Sequence, residues 1–209
     1  MPPQPIDPNA VFLNIPYDEE FRSLYVAYAV GLTQLGLIPH LASEIPGGAR
    51  RLDRILLLIR RCRYSIHDLS RVEVSDGPPA VPRFNMPLEL GMAIAWADLN
   101  PDLHTWFVWE SEPYRIQRST SDLNGTDANI HQGTVQGLLS GLRSSFWREN
   151  APSVQEMLGV HGYVEAILAL VILPKAGTRD LYTNGVFAEL RMVCASLSQL
   201  QRFRQKPQP

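Results

Sequence analysis

What most constrains this chain is an alternation in its first half. Short runs of β-branched, aromatic and other apolar residues take turns with longer runs whose apolar positions recur every three or four residues. Residues 10–15 read as a strand, and 19–35 as a helix with Phe21, Leu24, Tyr25, Tyr28, Leu32 and Leu35 at helical spacing. Gly36 supplies the helix stop before a second strand at 37–41. After a turn at Pro46-Gly47-Gly48, the positions Leu52, Ile55, Leu56 and Ile59 give 52–61 one apolar face, and a third strand follows at 64–68. A polar loop with Gly77, Pro78, Pro79 and Pro82 then leads to Pro87, where the next helix is expected to start and run to about Ala97; 104–109 is the fourth strand.

Parallel strands need crossover connections, and a βαβαβαβ order provides them. The expected fold is therefore an α/β flavodoxin-like parallel sheet with flanking helices. Residues 133–147 are expected to add a helix that closes the sheet, and 154–173 and 186–203 two more, the last with Val186, Leu190, Val193, Leu197 and Leu200 in one stripe. The expected organisation is an α/β domain over 10–150 and a C-terminal helical extension over 151–205 packed on it. The stripe on the last helix either packs within the chain or forms a subunit interface, and the sequence leaves both open.

With 19 basic and 21 acidic residues the formal charge is −2, which supplies no broad cationic field for a nucleic-acid backbone. The cluster Arg50, Arg51, Arg54, Arg60, Arg61 and Arg63 reads either as a local basic patch or, as is more usual for Arg on the outer side of a helix, as a solvated face. Cys62 and Cys194 are too few for a disulfide framework or a thiolate metal site and fit a reduced, cytoplasmic setting. Residues 1–10 are polar and proline-rich, unlike a secretory leader. The apolar window 164–173 is interrupted by Glu165 and closed by Pro174, so no membrane span is expected.

Ligands of parallel sheets bind beyond the carboxyl ends of the strands. That places Asn14 and Tyr17, Ser43 and Glu44, His67 and Asp68, and Glu110 at candidate positions. No glycine-rich loop ending in Lys-Ser or Lys-Thr follows a strand, and Asn14-Ile15-Pro16-Tyr17-Asp18 stands where a dinucleotide fingerprint would begin. His40, His67, His104, His131 and His161 are too scattered for a zinc motif, so no metal or resident cofactor is expected, and each reads as a structural or surface residue.

Three segments carry a resemblance: Val11-Phe12-Leu13-Asn14-Ile15-Pro16-Tyr17, Tyr64-Ser65-Ile66-His67-Asp68-Leu69-Ser70, and Phe84-Asn85-Met86-Pro87-Leu88-Glu89-Leu90-Gly91. Together they resemble an uncharacterised bacterial family similar to nucleoside 2-deoxyribosyltransferases and, more distantly, to TIR domains. The resemblance spans roughly residues 11–109. It implies a flavodoxin-like sheet and a glutamate near a helix start that acts on an N-glycosidic bond. In the transferases an Asp-x-Gly-Thr segment precedes Glu-x-Gly-x-Ala; here Glu89-Leu90-Gly91-Met92-Ala93 matches the second phrase, while Arg83-Phe84-Asn85-Met86 replaces the first. The implied substrate is a nucleoside, a nucleotide or an NAD-like molecule, and the implied assembly is a homo-oligomer that completes its pocket from a neighbouring subunit.

The residue chemistry agrees. Cleaving a ribosyl C–N bond builds positive charge on the sugar, which a carboxylate stabilises or traps as a glycosyl ester. Glu89 is the principal candidate; its alternative role is to accept free N–H groups at a helix start. Asp68 is the second, able to hold a ribose hydroxyl, to orient Glu89 or to share a proton with it, or else to cap the turn at Leu69-Ser70. Asn14 reads as a ribose contact or as the closer of the turn before Pro16, and Tyr17 as a ring that stacks on a base. Arg83 for a phosphate, Phe84 for packing, and Asn85 for a polar ligand group or a helix cap complete the set. The alternative function is a catalytically silent nucleotide-binding, signalling or oligomerisation module.

Overall fold

The computed structural model describes residues 5–44, 50–73 and 81–205, with side chains to residue 200. The expected turn at Pro46-Gly47-Gly48 and the loop residues Gly77, Pro78 and Pro79 lie outside the described residues. Five strands, β1 (Asp7–Asn14), β2 (Ile38–Leu41), β3 (Cys62–Asp68), β4 (Thr105–Glu110) and β5 (Asn129–Ile130), form one parallel sheet in the order β2-β1-β3-β4-β5. The flavodoxin-like α/β architecture expected from the alternation is the one present. The fifth strand was not expected. It is two residues long, pairs Asn129 with Trp109 and Ile130 with Glu110, and has no room for a periodic pattern.

The described helices are α1 (Arg22–Gln34), α2 (Arg51–Arg61), α3 (Asn85–Leu99), α4 (Arg115–Ser119), α5 (Val135–Ser145), α6 (Val154–Ile167), α7 (Leu173–Ala176) and α8 (Asn184–Gln205). Residues fall into two compact units, one of 1–16 and 40–133, the other of 17–39 and 134–209.

In the first unit, α2 and α3 cover one face of the sheet. Ile55, Leu58 and Ile59 of α2 and Ala93 of α3 pack on Ala10 and Phe12, with Met92, Trp96 and Trp106 at the margin. The inward face of α2 thus uses Leu58, while Leu52, expected inside, is 47% exposed. Met86 and Leu90 of α3 join Leu69, Val108 and Ile116 in a second cluster.

In the second unit, α1 is buried around its whole circumference from Leu24 to Gln34 by α5, α6 and α8. Its end is the one the sequence marks. Gly36 has φ +77°, and Leu37 N–H reaches back to Leu32 C=O at 2.9 Å, closing the last turn with a residue that carries no Cβ penalty. Gly31 is where α1 meets α5 and α6: a Cβ there would stand 2.6 Å and 2.9 Å from methyl carbons of Leu142 and Leu139. Val186, Phe187, Leu190 and Cys194 of α8 are buried within the unit, so the first half of the expected stripe packs inside the chain, while Leu200 is exposed.

The helix beginning at Val154 does not stop before Pro174. Ser153 and Glu156 form a capping box at its start, and a π-helical segment, Leu168–Ile172, carries it into α7 with Pro174 in the first turn. Proline removes one backbone donor and crowds the carbonyl four residues earlier. The wider π turn directly upstream is the local adjustment that accompanies it. The result, 154–176, is 23 residues long and, by length and composition, meets the requirement for crossing a bilayer that the window 164–173 failed. Met157, Val160, His161, Val164, Leu168 and Ile172 are turned into the unit, as in a core helix.

Candidate functional site

The order β2-β1-β3-β4-β5 changes direction between β1 and β3, where their carboxyl ends leave an edge at which open parallel sheets bind ligands. Register pairs Asn14 with His67 and Phe12 with Ser65, so these four side chains share the face under α2 and α3. Asp68, one residue on from His67, points to the opposite face.

Glu89 is on the covered face. The helix begins at Asn85, two residues before Pro87, which puts Glu89 in the second turn rather than the first; α3 has no acidic residue in its first turn. Glu89 is therefore beyond the residues whose N–H groups lack helical partners, and the capping role has no geometric basis. Its side chain faces inward beside Met86, Leu90 and Ala93 and is 3% exposed. Arg51, the first residue of α2, approaches with Nη2 3.7 Å from Oε1, an ion pair outside hydrogen-bonding distance. Burial pushes the Glu89 carboxyl up to about 7, against the opposing pull of Arg51 and of a hydrogen bond from the Asn85 side chain. A carboxyl that titrates near neutrality can exchange a proton with a bound molecule, and its ionised form can face a cationic centre.

Asp68 is engaged elsewhere. Its Oδ1 accepts from Ser70 N–H at 3.0 Å, the turn-capping role, and Oδ2 lies 3.2 Å from His131 Nε2 without the alignment of a hydrogen bond. Gly133 N–H donates to His131 Nδ1 at 3.0 Å, so in the neutral ring Nε2 carries the proton that faces Asp68. Both side chains are fully buried. The fold joins Asp68 to His131 and does not bring it to Glu89.

Asn14 turns across the edge instead of closing its own turn: Nδ2 is 3.0 Å from His67 Nδ1 and 3.0 Å from Met86 C=O. Asn85 stands at the head of α3 and serves Glu89. Phe84 is 71% exposed and packs little of its ring, contrary to its expected role. Arg83 donates its backbone N–H to Val72 C=O. Tyr17 belongs to the second unit, its ring against Tyr182 at 5.5 Å and Tyr25 at 6.1 Å. Glu110, at the end of β4, is held by Ser111 N–H and by a two-pronged contact from Arg115, Nε at 2.9 Å and Nη2 at 2.6 Å.

Sequence reading missed Arg51, the pairing of Asp68 with His131, and Arg115. No local signal connects Arg51 with Glu89, or Asp68 with His131. The spacing of Ser65 and His67, two apart in a strand, did mark two polar groups on one face. In the second unit a concavity of about 440 Å³ is lined by Ala169, Leu173, Pro174, Gly177, Thr178 and Arg179, and none of the candidate residues is among them. Comparison of the chain with family models, curated proteins and solved structures finds no match.

Proposed function

We propose that this protein cleaves, or transfers across, the N-glycosidic bond of a nucleoside, nucleotide or NAD-like molecule, with Glu89 as the carboxylate that meets the sugar. The observation that carries the reading is a carboxyl 3% exposed and pushed up to about 7 on the face covered by α2 and α3, its burial outweighing an ion pair at 3.7 Å and a hydrogen bond from Asn85. A buried carboxylate without full compensation is costly to the fold, and such sites recur where chemistry needs the group. As the C–N bond breaks, its electron pair leaves with the base and the sugar C1 becomes cationic. The ionised Glu89 stabilises that charge or bonds to C1; water then adds to C1 and gives up a proton, freeing the carboxylate.

The position of Asp68 narrows the substrate. On this reading Asp68, on the opposite face, is not the group that protonates a departing purine or pyrimidine, which would then leave slowly. A pyridinium base such as nicotinamide needs no such proton, because it leaves as a neutral molecule. Purified protein incubated with NAD, nicotinamide riboside, adenosine and thymidine is expected to release nicotinamide fastest, followed by chromatography of the free base. Glu89→Gln is expected to lower the rate by at least about a hundredfold, the scale of removing a charge that acts in the transition state. Release that survives the substitution removes Glu89 from the chemistry; no release from any substrate favours the silent binding module.

Assembly belongs to the same reading. Because Val186 and Leu190 are spent inside the unit, self-association would use the apolar side chains left outward on the C-terminal helices: Tyr163, Leu170, Val171, Met192 and Leu200. Light scattering over a concentration series is expected to show a species larger than 23.5 kDa. A monomer at every concentration would contradict it.

A further inference from the structure

Under the β1/β3 edge runs a continuous polar chain within an apolar layer. Asn14 Nδ2 meets His67 Nδ1 at 3.0 Å, His67 Nε2 meets Ser65 Oγ at 3.0 Å, Ser65 Oγ meets His104 Nε2 at 2.9 Å, and His104 Nδ1 meets Cys62 C=O at 2.9 Å. All four side chains are at most 5% exposed. The chemistry of the two ends fixes every proton between them. A backbone carbonyl only accepts, so His104 carries its proton on Nδ1. Burial pushes His67 down to about 3 and lowers His104 from its ordinary value of 6.5, so at pH 8 both imidazoles are neutral. His104 Nε2 is then a lone pair that takes the Ser65 O–H. Ser65 in turn accepts from His67 Nε2–H, which leaves His67 Nδ1 as a lone pair facing Asn14.

The other contact of Asn14 closes the argument. Met86 C=O, 3.0 Å away, also only accepts, so the group that faces both partners is the amide NH2. A flipped amide would set its oxygen against a carbonyl oxygen and an imidazole lone pair at once. Both Asn14 amide hydrogens are therefore consumed. Its Oδ1 has no hydrogen-bond partner among the described residues and is not among the sealed, unsatisfied atoms.

We infer that Asn14 is a specificity-determining residue that presents an acceptor, never a donor, at the β1/β3 edge, and that His67, Ser65 and His104 are positioning residues that hold its amide in that orientation. The group it takes is a hydrogen-bond donor, and on the glycosidic reading above, on which this ligand assignment rests, that donor is a ribose hydroxyl.

Two measurements test it. In protein with 15N-labelled histidine, ring nitrogen shifts at pH 8 are expected to show His67 as the Nε2–H tautomer and His104 as the Nδ1–H tautomer, with His67 unchanged down to pH 5. His67 as the Nδ1–H form, or as a cation in that range, overturns the chain. Calorimetric binding then compares adenosine with 2′,3′-dideoxyadenosine; on the reading above adenine is expected to leave slowly, so both serve as binding probes. The parent is expected to prefer adenosine about tenfold, the scale of one well-made hydrogen bond. Asn14→Leu and Ser65→Ala are expected to reduce the preference to less than about threefold, with Ser65→Thr, which keeps the hydroxyl, restoring it. An unchanged preference in Asn14→Leu overturns the role of Asn14. Equal binding of both probes by the parent, or binding of neither, overturns the ribose assignment, while the tautomers still decide the chain independently of any ligand. Should Ser65→Ala fail to fold, the parent spectrum and Asn14→Leu carry the test alone.

Discussion

At pH 8, Glu89→Gln is expected to make the protein more stable, with a higher unfolding temperature and urea midpoint than the parent. The Glu89 carboxyl titrates near 4.5 when exposed and about 7 in the fold. The folded state therefore holds the proton more tightly than the unfolded state. The resulting stabilisation is complete below about pH 4.5 and is lost as pH rises through about 7. A shift of that size amounts to about 3 kcal/mol across the window, the opposing pull of Arg51 already included. Glutamine stays neutral and escapes the loss. Urea denaturation of both proteins from pH 4 to pH 8 should give curves that diverge as pH rises, with the variant ahead at the alkaline end. Parallel curves, or a weaker variant at pH 8, would identify Glu89 as a structural ion-pair partner of Arg51. Gain of stability with loss of base release is the pattern expected where a fold tolerates a group for its chemistry.

Arg115→Ala is expected to be among the most damaging single changes in the first unit, at about 3–5 kcal/mol, because it strands the buried carboxylate of Glu110. The Glu110 side chain is 2% exposed, and both of its oxygens are held by Arg115, which also reaches Leu69 C=O and Glu73. The contact ties the loop after β3 to the end of β4. If the cost lies in the stranded charge, a second change, Glu110→Gln, should recover more than half of it, since a neutral amide pays a smaller desolvation penalty than a lone carboxylate. Chemical denaturation of the parent, both single variants and the double variant reads this as a coupling energy. Costs that simply add would show that the two residues act independently.

The alternation in the first half made the parallel sheet legible because each strand and helix there is long enough to show its period. β5 escaped because two residues have no period. The helix through Pro174 escaped because proline normally ends a helix, and a π turn that absorbs it leaves no signature in the sequence. Glu89 was legible from its phrase, but its depth was not, since the helix starts before Pro87 and Glu89 falls past its first turn, on the buried side. Asp68 reads as a ribose contact, a partner for Glu89 or a turn cap because it lies just past a strand, at the edge where parallel sheets bind ligands. The alternation of side chains across a strand decides otherwise: His67, not Asp68, lies beneath α3. The polar chain is a tertiary object, since Asn14, Ser65, His67 and His104 come from different parts of the sequence and become one only when the strands set their register.

The division of the chain between its two units also sets a timetable. α1 is made early, yet what encloses it comes late: His161 bonds to Ser23 C=O across 138 residues, and Ser198 to Thr33 C=O across 165. At roughly 5–20 residues per second, a ribosome needs on the order of ten seconds to supply those partners. During that interval the newly made segment from Leu24 to Gln34 is an apolar helix without its neighbours, the sort of surface that recruits chaperones or aggregates. Slowed translation before α6, or release of a chain truncated near residue 150, should therefore harm the yield of this protein more than its final stability would suggest.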